Sequence, residues 1–209
     1  MPLHFLQPPA ASTKALDAAL PRIANRASVA THASRISAAV DLHLRRRPGA
    51  PPPAAPEPIA APVHILGLDQ IVAHHDIRTT PVKLWTHMLH ADDDDAPVAL
   101  ADIDAHSQTF SAVTEGAHIA ALGKRIRTVE TESRASPKNF DLAMIRVPAL
   151  SLSALWLKGR DGEPDVVIPE ESPMSPLTPG KRYTLDEFNA ALKPAADRML
   201  KETDPQKGG

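Results

Sequence analysis

Hydrophobic positions along the chain change their period several times, and each change predicts an element. Residues 12–47 carry Ile23, Ala27 and Ala30, then Ile36, Val40 and Leu44, at three- and four-residue spacing. That is helical periodicity in an alanine- and leucine-rich stretch, with Ser12 as a candidate cap and Pro21 placed to begin a second helix. Alanine supplies half of the stripe, so the segment buries too little surface to be stable as an isolated helix. Residues 48–62 read PGAPPPAAPEPIAAP, which predicts an extended, semi-rigid linker.

Beyond the linker the pattern is mixed. Residues 63–66 and 98–103 read as short strands, and residues 114–129 as a helix with Ile119, Leu122, Ile126 and Val129 on one face. Phe110 and Val113 fall out of phase with that stripe, and Gly116 marks the break. Residues 80–91 support helix and strand equally: Thr80-Pro81 suits a helix start, while the run Asp92 to Asp95 opposes a helix C-terminus.

The strongest sheet signal is residues 140–157. FDLAMIRV is apolar on both faces, and ALSLSALWL alternates Leu150, Leu152, Ala154 and Trp156 with Ser151 and Ser153, as a half-buried strand does. A Gly-containing turn at 158–162 then leads into residues 165–168 as a hairpin partner. Fifteen proline-punctuated residues, 169–183, precede a capping box at Thr184 and Glu187 and a helix bearing Leu185, Phe188, Leu192 and Met199.

These elements predict an α+β fold, a mainly antiparallel sheet with helices on one face, preceded by an N-terminal helical arm. The expected division is an arm at 1–47, a linker at 48–62, an acidic domain at 63–203 and a mobile tail at 204–209.

Charge sharpens this division. The net charge of −2 over 209 residues conceals +5 in residues 1–47 and −7 in the rest. Unequal halves of this kind are suited to meeting different surfaces. Aromatic residues are only 3% of the chain, so a stable core has to use nearly all of them. The absence of cysteine excludes disulfides, thiolate metal sites and cysteine nucleophiles. No apolar run approaches the length of a spanning helix, so no integral membrane contact is expected.

Candidate chemistry is sparse. His64, His74, His75, Asp76, His87, His90, Asp102, Asp104 and His106 crowd residues 64–106, and such nitrogen and oxygen donors suit zinc or manganese when they converge. A metal-dependent hydrolase using His75, Asp76, His87 and His90 is therefore one alternative, and it requires a helix at 80–91 to bring His87 and His90 to one face. No GxSxG, GxGxxG or GxxxxGK[ST] motif occurs. A weak, non-specific nucleic-acid binder using the basic arm is a second alternative.

The leading expectation is a non-enzymatic accessory or assembly protein, without a cofactor, that docks onto a protein partner. Its docking surface would be Ile23, Ile36, Val40 and Leu44, with Arg45, Arg46 and Arg47 adding long-range attraction. A cytoplasmic location is expected, or an organellar one if the acid-poor first 47 residues act as a transit sequence.

Overall fold

The computed structural model describes residues 3–27, 38–40, 42–43, 59–90, 97–135 and 138–203. The fold is α+β, and its strands are mainly antiparallel. It divides into two compact units, one made of Phe5–Pro62 and Lys83–Val129, the other of Met1–His4, Val63–Val82 and Glu130–Gly209.

In the first unit, β3 (Val82–His90), β4 (Pro97–Asp104) and β5 (Phe110–Glu115) pair antiparallel in that order. Residues 82–90 are thus a strand. β-Branched and aromatic residues (Val82, Trp85, Thr86) favour it, and Pro81 lies just outside, where a strand loses nothing by its missing N–H. The backbone leaves β5 through Gly116, whose φ of 129° is a conformation open to glycine, and α3 (Ala117–Arg134) follows. The predicted stripe Ile119, Leu122, Ile126 and Val129 is buried.

α1 (Ala10–Ala27) packs on this sheet through Leu16, Ala19, Leu20 and Ile23, which meet Leu89, Ala99, Ala101 and Ile103. Each fully buried leucine or isoleucine contributes about 1.5–3 kcal/mol. α1 is the N-terminal helix that the sequence predicts, and these strands cover its apolar face. Its stripe begins at Leu16, about two turns before Ile23, where the sequence reading started it, and is covered by the chain's own sheet. Ser12 lies inside α1 rather than at its cap, and Pro21 is accommodated within the helix instead of starting a new one. The missing Pro21 N–H costs one intrahelical bond, and the apolar contacts of Leu16, Leu20 and Ile23 on either side hold the helix through that point.

Gly123 brings α3 against Pro97, and a Cβ at this position would overlap the proline ring. Gly123→Ala is therefore expected to lower stability by about 1–3 kcal/mol despite alanine's higher helix propensity. Chemical denaturation checks this; a stabilised variant would show that the ring yields.

The second unit is built on β6 (Phe140–Val147) and β7 (Leu152–Gly159), paired antiparallel from Phe140 opposite Gly159 to Val147 opposite Leu152. β8 (Val166–Pro169) adds antiparallel to β7, as expected of a hairpin partner. β2 (Ala60–Ile65) runs parallel to β6, from Val63 opposite Met144 to Ile65 opposite Arg146. β1 (Leu3–Phe5) also pairs with β6. β2 starts at Ala60, inside the predicted linker, because the small side chains of Ala60 and Ala61 are both buried. Residues 48–58 of that linker and the tail 204–209 lie outside the described residues.

α2 (Leu68–Val72) and α4 (Leu185–Thr203) cover one face of these strands. Ile71, Phe188, Leu192 and Ala196 pack there with Ala143, Ile145, Ala154 and Trp156. β7 is more deeply buried than its alternating pattern implied, since Leu155 and Leu157 on the opposite face are buried too. α4 starts with the predicted capping box: the Glu187 N–H donates to Thr184 Oγ1, and Glu187 Oε2 accepts from the Thr184 N–H at 2.8 Å. Thr184→Ala removes this reciprocal cap and is expected to cost about 1 kcal/mol, measurable as a lower unfolding midpoint with unchanged slope.

Candidate functional site: a polar cleft at the start of the capped helix

Within the second unit, the segment that follows α2, the loop before β8 and the first turn of α4 enclose a cleft of about 480 Å³. His74, His75, Asp76 and Arg78 come from the first of these, Asp165 from the second, and Thr184, Asp186 and Asn189 from the third. One wall is fixed by the buried carboxylate of Asp165. Its Oδ2 accepts from Trp156 Nε1 at 3.1 Å and Arg78 Nε at 3.0 Å, and its Oδ1 accepts from the Gly159 N–H at 2.9 Å. Three donors, two from β7 and one from Arg78 in the segment after α2, leave this carboxylate no freedom to turn. The same contact raises the pKa of the Arg78 guanidinium further above its already high value.

The opposite side is held by short-range bonds. Asp76 Oδ1 caps a turn of 3-10 helix at Ile77–Thr79 by accepting from the Arg78 N–H. The Thr79 hydroxyl donates to the Asp76 carbonyl at 2.8 Å, so the 3.1 Å contact between Thr79 Oγ1 and His75 Nε2 has the imidazole as donor. A neutral His75 therefore carries its proton on Nε2 and presents a bare Nδ1. His74 turns the chain with a φ of 52°, a left-handed conformation that is uncommon outside glycine and asparagine.

At the base sits Asn189, only 7% exposed. Its Nδ2 reaches the His75 carbonyl at 3.4 Å, and its Oδ1 is buried without a hydrogen-bond partner among the described residues. An unsatisfied buried amide oxygen costs on the order of 1–3 kcal/mol, which a donor entering the cleft would recover.

Beneath this region His64 lies edge-on to Trp156, ring centroids 4.9 Å apart. Its Nδ1–H donates to the Thr80 carbonyl at 2.7 Å, leaving Nε2 buried without a partner among the described residues. Burial lowers the His64 pKa, against the opposing effect of the Thr80 bond.

The remaining candidates are dispersed. As β3 is a strand, His87 and His90, three residues apart, point to opposite faces, and the helical pair required for the metal alternative does not form. His87 Nε2 is engaged by Ser12 Oγ at 2.9 Å in the buried interior of the first unit. Asp102 accepts from the Thr86 hydroxyl, and Asp104 closes an exposed turn by accepting from the N–H groups of His106 and Ser107. Among the described residues no three histidine or acidic side chains converge as a metal site would require. Of the predicted docking residues, Ile23 and Val40 are buried in the first unit's core, at 2% and 3% exposure. Ile36, Leu44, Arg45, Arg46 and Arg47 lie outside the described residues. No helix among the described residues is long and apolar enough to cross a membrane.

Compared with protein families, curated proteins and solved structures, the chain matches none. The cleft therefore has to be read from its own chemistry. Sequence inspection singled out His74, His75 and Asp76 but missed Arg78, Asp165, Asp186 and Asn189 as their neighbours. The only local hint was Asp165, an acidic residue just before a buried strand.

Proposed function

We propose that this protein acts by binding, as a non-enzymatic accessory protein, and that its partner engages the cleft between the residue 74–78 segment and the start of α4. The observation that carries this reading is the wall built on Asp165. A buried carboxylate tied to Trp156, Gly159 and Arg78 is a rigid, pre-arranged polar surface, and pre-arrangement lowers the entropic cost of binding. The stripe predicted for residues 12–47 offers a poorer docking surface, because Ile23 and Val40 already pack within the chain.

The test compares retention of interacting protein by the full chain, by an Asp76→Asn/Asp186→Asn variant and by a variant with Arg45, Arg46 and Arg47 replaced by serine. The proposal expects a partner kept by the first and third and lost by the second. A partner lost only with the arginines would return the binding role to the N-terminal segment, and salt-steep binding of nucleic acid by the full chain that the arginine-to-serine variant loses would favour the nucleic-acid alternative.

A further inference from the structure

Resting on the reading of the cleft as a binding site, we infer that its ligand presents an organic cation, an ammonium or guanidinium group. Internal bonds use part of the cleft's hydrogen-bonding capacity. On the donor side, the Thr79 hydroxyl, His75 Nε2–H and Arg78 Nε–H are used, and the terminal N–H groups of Arg78, whose charge Asp76 and Asp186 attract, remain. On the acceptor side, His75 Nδ1 of the neutral ring, one oxygen of Asp76, the Asp186 carboxylate and Asn189 Oδ1 remain. Asn189 is the independent sign that this surplus is a site rather than a solvated acidic rim. It is 7% exposed, lines the cleft and holds an oxygen with no donor among the described residues.

Charge points the same way. Asp165 neutralises Arg78, so Asp76 and Asp186 leave the cleft net negative with its histidines neutral. An anion at the N-terminus of α4 would face Asp186 and Glu187 in the first turn, which oppose the helix dipole's usual attraction for negative charge. A planar or tetrahedral cation with several N–H donors satisfies Asn189 Oδ1 and a carboxylate together.

Isothermal titration calorimetry of the full chain with agmatine, and separately with inorganic phosphate, tests this. Agmatine is expected to bind with a dissociation constant on the order of millimolar, as befits a small ligand. The Asp76→Asn/Asp186→Asn variant, altered only at exposed side chains, should bind it roughly tenfold more weakly. Binding should also weaken at about 1 M salt, where the Debye length falls to ~3 Å. Phosphate binding in place of agmatine would overturn the ligand class while leaving a binding cleft. Absence of agmatine binding, or equal binding by the double variant, would also overturn the inference. Whether the cleft serves a protein partner is read separately, from the retention comparison above.

Discussion

Trp156→Ala is expected to lower stability by about 3–5 kcal/mol, the range for deleting a fully buried large aromatic. The indole has no exposed surface and is among the largest side chains in the second unit's core. Three further contacts depend on it. Lys158 Nζ sits 4.5 Å from the ring centroid, His64 packs at its edge, and Nε1–H supplies one of the three donors to Asp165. Trp156→Phe separates the terms: it retains most of the apolar area but removes the donor, and should cost about 1–3 kcal/mol. Urea unfolding of both variants checks the order. Equal losses would mean that the hydrogen bond, not the ring, dominates.

The second large effect is a loss of stability in mild acid centred on His87. Burial lowers its pKa from 6.5 to about 4, with the nearby His43 acting in the same direction and Asp102 opposing it. In the unfolded chain the imidazole binds its proton near pH 6.5, whereas the folded chain resists until about pH 4. Stability is therefore full above pH 6.5, falls as the pH drops through this window and levels off below it as far as this group is concerned. The loss amounts to about 3 kcal/mol, at ~1.4 kcal/mol per pH unit of displacement. Protonation makes both ring nitrogens donors, so the contact with the Ser12 hydroxyl that ties α1 to β3 then requires Ser12 Oγ as acceptor. His87→Gln keeps a polar group there without the titration. It should flatten the stability profile between pH 6.5 and 4 relative to the unaltered chain; an unchanged slope would assign the acid sensitivity to other groups such as His64.

The sequence was legible where one element's own residues decided its state. β6 carries apolar residues on both faces, and Thr184 and Glu187 announce α4, whereas the helix read from Thr114 begins only at Ala117 and Phe110–Glu115 form the strand β5. It was less legible where the decision lay in the partner. Residues 82–90 are a strand because β4 offers a register running from Leu84 opposite Asp104 to His90 opposite Pro97, and nothing local excluded a helix. The thin stripe of α1 looked unfinished because its cover, Leu89, Ala101 and Ile103, lies more than sixty residues away. The cleft was hidden for the same reason. Arg78 and Asp165 are 87 positions apart, and His75 and Asn189 are 114 apart. Neither pair shares an element whose periodicity would have joined them.

The most direct test of the cleft is its location by NMR. With the full chain labelled in nitrogen-15, addition of agmatine should shift the side-chain amide of Asn189 and the imidazole nitrogens of His75 together, while signals from α1 and β4 stay in place. The account is contradicted if those two side chains do not move, or if the shifts fall on other surfaces of the protein.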